Sequence, residues 1–329
     1  MKTVHIERPG QESGQDYRLV MGSQPRPLAA PGQVLIEVAA AGLNYPDLLQ
    51  AQGKYPPPPG ASPVLGLEIS GVIAELGENA GGWKAGDKVC ALLTGGGYAE
   101  YAVADAGSVL PVPDTIDLVE AAGLPEAAFT AWTNIMDTGR IAANESLLVH
   151  GGTSGIGSLA IQIFADRGHR VFTTAGSEEK CTAARKLGAA RAINYREEDF
   201  VAVVKSETAG RGVNVILDMV GAGYIQRNIE AAAQWGRIVN IAYRSGFRTE
   251  VDFTPVLAKK LTLAATLLRP RPPDQKRAIR DVLLREVWPR LGTHIRPVID
   301  RVFSLDQAQA AHEFMAKTGH IGKILLQVS

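Results

Sequence analysis

The chain has 329 residues, of which 46% are hydrophobic, the content of a globular protein with a sizeable core. That length suits about two domains. Lys and Arg number 34 and so do Asp and Glu, so no global field draws the protein to DNA, RNA or an acidic membrane. The two cysteines, Cys90 and Cys181, have no metal-ligand spacing and make no disulfide framework, which suits thiols in a reducing compartment. The N-terminus carries charge where a signal peptide needs an apolar run. No apolar stretch approaches the ~20 residues of a membrane span, and a cytoplasmic protein is expected.

In chain order, the first third is rich in short predicted strands: 34–38 (Val-Leu-Ile-Glu-Val), 71–76, 86–92 after a turn, and 97–103. Gly and Pro punctuate them, which predicts a barrel-like all-β fold. The run 54–60 (Lys-Tyr-Pro-Pro-Pro-Pro-Gly) is a stiff proline loop between strands. From about residue 125 the texture changes. A buried strand at 147–150 runs into the turn 151–157 (Gly-Gly-Thr-Ser-Gly-Ile-Gly) and an apolar helix at 159–164. Then come a strand at 170–175, a helix at 177–187, a short strand at 191–194 and a helix from near Glu197. Strands at 213–218, 236–241 and 261–268 follow. Strands separated by helices predict a parallel, doubly wound sheet. The end is mixed: a helix at 275–288, a strand at 298–302, a helix at 305–315 and a strand at 323–327.

The turn after the 147–150 strand carries the chemistry. Gly152 and Gly157 hold the outer positions of a G-x-G-x-x-G pattern, Ser154 takes the middle one, and Gly155 is added. Small residues let backbone approach a pyrophosphate, and a helix N-terminus faces its charge. Strand before, helix after and further strands beyond make this a dinucleotide site. A site for NAD places Asp or Glu at the end of the second strand, on the ribose 2′-hydroxyl. That region here is Thr174-Ala175-Gly176-Ser177, with no acid. Ser177 can donate to a 2′-phosphate, Lys180 adds charge one turn along, and Tyr195 follows the third strand. NADPH is therefore expected. Ser177 also has the form of an N-cap, and Glu178 and Glu179 suit a helix first turn.

Two lookalikes fail. No tyrosine has Lys four residues on, as short-chain dehydrogenases require, and no G-x-S-x-G elbow accompanies His150-Gly151-Gly152. The residues 41–48 (Ala-Gly-Leu-Asn-Tyr-Pro-Asp-Leu), 52–55, 57–62, 65–71, 124–127, 174–177, 216–218, 267–269 and 321–324 instead place a resemblance over the whole chain. It resembles the medium-chain dehydrogenase/reductase superfamily, in particular the quinone oxidoreductase branch that includes zeta-crystallin, and within it the p53-inducible quinone oxidoreductase type. The fold implied is α/β. A GroES-like β-rich catalytic domain spans 1–125, a Rossmann NADPH-binding domain spans 126–268, and 269–329 returns to the catalytic domain.

The resemblance also frames a missing metal. The positions matching zinc ligands of related alcohol dehydrogenases are Asn44, Leu67 and, nearby, Glu126, while the hydroxyl relay position is Pro46. Leucine cannot ligate and an amide ligates poorly, so no metal is expected. Quinones and enones are strong electrophiles that delocalise arriving charge, so positioning and a hydrogen-bond donor suffice. By resemblance, Asn44 and Tyr55 are the catalytic residues beside the nicotinamide. Thr130 packs near it, and Ser154, Gly155 and Ile156 offer backbone donors to the pyrophosphate. Val220, Gly221, Tyr243 and Arg244 follow the fourth and fifth strands, and Leu268, Arg269 and Lys323 close over the cofactor. Asp47 is weighed against a plain first-turn acid. The activity implied is a zinc-independent NADPH:quinone reductase. The alternatives are an alkenal or enone double-bond reductase and a low-turnover, crystallin-like or sensor NADPH-binding protein. A homodimer pairing through 261–268 is implied, with no nucleic-acid or membrane partner.

Overall fold

The computed structural model of the protein describes residues 1–8 and 17–328. The elements run β1 (Lys2–Glu7), β2 (Arg18–Ser23), β3 (Gln33–Gly42), α1 (Tyr45–Ala51), β4 (Glu68–Leu76), β5 (Lys88–Leu92), β6 (Tyr101–Asp105), β7 (Val109–Pro111) and α2 (Pro125–Trp132). They continue with β8 (Ser146–His150), α3 (Gly155–Asp166), β9 (Arg170–Ala175), α4 (Glu178–Lys186), β10 (Arg191–Asn194), α5 (Phe200–Glu207), β11 (Val213–Asp218), α6 (Ile225–Ala231) and β12 (Ala232–Asn240). Last are α7 (Thr254–Lys259), β13 (Thr262–Ala265), α8 (Pro273–Glu286), β14 (Ile299–Ser304), α9 (Ala308–Ala316) and β15 (Lys323–Gln327). They form two compact units, Met1–Glu126 with Arg269–Ser329, and Ala127–Leu268.

The first unit is built on a seven-stranded sheet ordered β14-β15-β3-β4-β5-β7, with β6 also paired to β3. In β3, Val34, Ile36 and Val38 pack in the core with Ile69 and Ile73 of β4 and Val89 of β5. Pairing of β15 with β3 sets Leu325 opposite Gly42, which delivers the C-terminal strand to the start of α1. The hairpin β1–β2, for which the sequence gives only a faint alternation, adds Val4 and Leu19 to the same core.

The second unit is a six-stranded sheet ordered β10-β9-β8-β11-β12-β13, parallel throughout. Order thus reverses between β8 and β11, and ligands of doubly wound sheets bind at the carboxyl ends of strands at such a switch. Leu148, Phe172, Ile193, Ile216 and Ile238 fill one core from five successive strands. Near-continuous apolar runs are what burial on both sheet faces requires.

Strand β6 and helix α5 begin later than expected, each for a local reason. Strand β6 begins at Tyr101, because Gly95 and Gly96 take positive φ (147° and 98°) and Tyr98 N–H bonds Leu65 O instead of a neighbouring strand. Helix α5 begins at Phe200, because Glu198 turns back to the Asn194 N–H and Asp199 caps Val201 N at 3.0 Å. The sixth strand is shortened to Thr262–Ala265. Among the described residues no helix is long and apolar enough to cross a membrane.

Candidate active site

In the second unit the glycine turn is fixed by contacts that only glycine permits. A Cβ at Gly152 would lie 1.9 Å from Thr173 Oγ1, and one at Gly157 would lie 2.3 Å from Gly151 O. Gly151 takes φ +69°. Ser154 caps α3, its Oγ accepting from Gly157 N at 3.0 Å. Gly155 and Ile156 then stand at the first two helical positions, whose N–H groups have no acceptor within a helix. That leaves donors and a positive helix end facing the turn.

Below the turn a buried network ties the strand ends together. His150 Nε2 bonds Asn228 Oδ1 at 2.7 Å and His150 Nδ1 bonds Thr174 Oγ1 at 3.0 Å. An amide oxygen only accepts, so the ring proton is on Nε2 and Thr174 donates to Nδ1. Asn228 and Asn240 both donate to Asp218 Oδ2, at 3.1 and 2.7 Å. Asp218 Oδ1 accepts from Val220 N at 2.7 Å and Gly221 N at 3.2 Å. Burial pulls the His150 pKa down, so the ring stays neutral. The strand-end loops are therefore held from beneath, which preorganises the surface above them.

Two groups of sequence-predicted residues assemble in this unit. Val220 and Gly221 meet Tyr243 and Arg244: Arg244 N bonds Met219 O, Ser245 N bonds Val220 O at 2.8 Å, and a Cβ on Gly221 would strike Tyr243. Ser154 reaches this group through Met219, Oγ to Sδ at 3.7 Å. The second group is Ser177, Lys180 and Tyr195. Ser177 caps α4 by accepting from Lys180 N at 3.3 Å, which leaves its own proton to donate. The Tyr195 hydroxyl sits 2.6 Å from where a Gly176 Cβ would be. Thr130 is buried in α2, with its carbonyl taken by Asn134 Nδ2 at 2.8 Å, and Leu268 is buried at the end of the unit.

In the first unit, Asn44, Tyr55, Arg269 and Lys323 share a polar floor with Asp47, Glu126 and Glu68, an acid that the sequence did not mark. Lys323 is 4% exposed, and its ammonium donates to Leu43 O at 3.0 Å, to Asn44 Oδ1 at 2.9 Å and to Glu68 Oε1. The Asn44 amide donates to Gly42 O at 3.3 Å and to Glu68 Oε1 at 2.9 Å. Lys323 is thus an internal counter-charge with its donors engaged on protein acceptors. Asn44 has both amide protons on protein acceptors, which ties it into the floor. The pairing of β15 with β3 causes this, because it inserts Lys323 beneath α1.

Asp47 is 1% exposed and accepts from Asn44 N at 2.8 Å, Gly66 N at 3.1 Å and Tyr98 Oη at 3.4 Å. Tyr98 in turn meets His312 Nε2 at 3.3 Å, and His312 Nδ1 meets Tyr17 Oη at 3.1 Å. Burial raises Asp47 to about 6 against the opposing backbone hydrogen bonds and cations, and it lowers His312 to about 3. Glu126 is raised to about 8, first by burial and then by the Glu68 charge. Its backbone N–H donates to Glu68 Oε2 at 2.8 Å. A carboxyl at about 8 is protonated at neutral pH and can donate a proton.

A catalytic zinc needs three protein ligands, and the residues at the matching positions do not fit one. Leu67 is an aliphatic side chain, Asn44 is consumed, and the Lys323 ammonium already supplies the local positive charge. Among the described residues no three His, Cys, Asp or Glu side chains are grouped to hold a metal ion.

Comparison with known proteins fits this architecture. The family described as zinc-binding dehydrogenase matches residues 155–283, and the alcohol dehydrogenase GroES-like domain matches residues 30–114. A phenolphthiocerol/phthiocerol polyketide synthase of Mycobacterium tuberculosis is 30% identical over 329 residues, which is 99% of this chain but only 15% of that protein. The chain thus spans a small part of that relative. The quinone oxidoreductase of Rattus norvegicus is 29% identical over 299 residues, 89% of this chain and 88% of that one. Three solved structures are also similar. An NAD-dependent alcohol dehydrogenase has TM-score 0.87 at 29% identity, covering 100% of both chains. The Escherichia coli quinone oxidoreductase complexed with NADPH has TM-score 0.85 at 26% identity, covering 100% of both. The CurK enoyl reductase has TM-score 0.85 at 25% identity, covering 100% of this chain and 99% of that one. The fold and site define an oxidoreductase of a two-unit, nucleotide-binding class. The chain belongs to the medium-chain dehydrogenase/reductase superfamily, on its quinone oxidoreductase branch.

Proposed function

We propose that the protein is a zinc-independent, NADPH-dependent reductase of quinones. The observation that carries this reading is the floor of the first unit, where a Lys323–Glu68–Asn44 cluster stands in place of zinc donors. Simple alcohols need a Lewis acid or strong base, whereas conjugated acceptors do not. When bound, NADPH supplies the hydride. Gly155 and Ile156 direct backbone donors at its pyrophosphate, and Ser177 and Lys180 receive the 2′-phosphate, with no acid at the end of β9 to favour NADH. Tyr55 borders the acceptor. The similarity to the Escherichia coli enzyme complexed with NADPH supports the cofactor, and the rat quinone oxidoreductase supports the acceptor.

The likeness to the CurK enoyl reductase favours a second reading, reduction of the conjugated double bond of alkenals or enones. Purified protein should oxidise NADPH with ortho- and para-quinones. Turnover of 2-alkenals alone would select the second reading, and tight NADPH binding without turnover of either class would refute both. Replacing Ser177 and Lys180 by Ala should weaken NADPH about tenfold or more, the scale of one charge-assisted contact, and leave NADH unchanged in a nicotinamide-fluorescence titration. Equal losses for both cofactors would overturn the 2′-phosphate assignment. The protein is further read as a cytoplasmic homodimer. Pairing through β13 suits an edge strand with Leu263 and Leu267 exposed beside it.

A further inference from the structure

Arg269 is 6% exposed, yet Nη1 and Nη2 are buried without a hydrogen-bond partner. The rest of the residue is pinned. Nε donates to Thr94 O at 2.9 Å, and the Arg269 carbonyl accepts from Lys276 Nζ at 3.0 Å. The guanidinium carbon lies 5.4 Å from the Tyr55 ring centroid. Gly95, at φ +147°, is close enough that a Cβ there would come within 3.4 Å of Nη2. A guanidinium offers a planar fork of donors that match an oxygen or a pair of oxygens. Here the stem is immobilised and the fork is unfilled, beside a flat aromatic ring.

We infer that Arg269 receives the carbonyl oxygen of the conjugated acceptor and stabilises the negative charge that forms on it, instead of binding the dinucleotide. This rests on the reductase reading above. The reduced nicotinamide dinucleotide loses a hydride and is oxidised. The new bond to hydrogen forms at the far end of the acceptor's conjugated system, and the displaced π electrons move to the carbonyl oxygen. Arg269 holds that oxyanion until a proton from water completes the reduction. The neighbours favour this ligand over a phosphate. Asp47, ionised above about pH 6, acts electrostatically on Arg269, so a permanent dianion is opposed, while a neutral carbonyl meets the guanidinium and gains a single charge only as it reacts. Tyr55, half-buried, gives a planar acceptor a face to stack on.

The test is Arg269→Gln, with Arg269→Lys as the conservative variant and thermal melting as a fold control. The expected result for R269Q is a fall of about 10²-fold in kcat/KM for the acceptor, the scale of one lost oxyanion donor. NADPH affinity by nicotinamide fluorescence should stay within about twofold, the change expected for a residue outside that site, and R269K should recover part of the loss. Weakened NADPH binding with unchanged acceptor kinetics at saturating NADPH would overturn the inference, as would no change in either. If R269Q fails to fold, 4-nitrophenol titrated into the wild-type protein decides. It should bind as the yellow phenolate, and binding as the colourless phenol would refute the assignment. A wild-type protein that turns over no quinone or enone would instead refute the reductase reading.

Discussion

The Asp47 carboxyl gives the most direct test of the floor of the first unit. It is buried, accepts two backbone N–H groups and Tyr98, and burial lifts it from 3.8 to about 6. The folded state therefore holds a proton that the unfolded state has already lost between those two values. The stabilisation this group adds is complete below its unfolded pKa and is lost as pH rises towards 6. A pKa unit is worth about 1.4 kcal/mol, so from about pH 4.5 to pH 8 the loss is about 2 kcal/mol. Asp47→Asn removes the titration but sets an amide NH₂ against one of the two backbone N–H donors, which costs about 1–3 kcal/mol at any pH. The variant should thus be less stable than wild type throughout, by about 2 kcal/mol more at about pH 4.5 than at about pH 8. Urea unfolding of both proteins across that range measures it. A wild-type-minus-variant difference that does not change with pH would refute the argument that burial perturbs this carboxyl.

Three further outcomes are expected. Gly157→Ala drives a Cβ against Gly151 O and Gly152 Cα, both backbone, so it should cost about 1–3 kcal/mol and abolish NADPH binding by fluorescence. Gly223→Ala, with open space around it, is the control and should bind normally. Lys323→Met removes the counter-charge of the buried Glu68, which should cost about 3–5 kcal/mol in urea unfolding. Adding Glu68→Gln should recover part of that, and a loss below about 1 kcal/mol would show that the pair is not a closed one. Light scattering should give twice the chain mass, with Leu263→Glu and Leu267→Glu returning a monomer; a wild-type monomer refutes pairing through β13.

The glycine turn, the N-caps at Ser154 and Ser177, and the alternation of strands and helices were legible in the chain because each depends on residues within a few positions of one another. A strand, a tight turn and a helix start are local events, and glycine is demanded there by backbone contacts. The absence of zinc donors at Asn44 and Leu67 was also open to reading, through side-chain chemistry. The hairpin of β1 and β2 was not, since its apolar alternation is short and its value comes from packing on β3.

Periodicity, small residues and caps, read in order along the chain, were enough for the doubly wound sheet, the dinucleotide turn and the lack of an acid after β9. What surrounds the floor of the first unit came from folding alone. Lys323 meets Asn44 across 279 positions, and Tyr98 meets His312 across 214. No local pattern encodes such pairs, because it is sheet pairing that brings distant charges together. Burial then decides which carboxyl keeps its proton and which guanidinium is left unfilled.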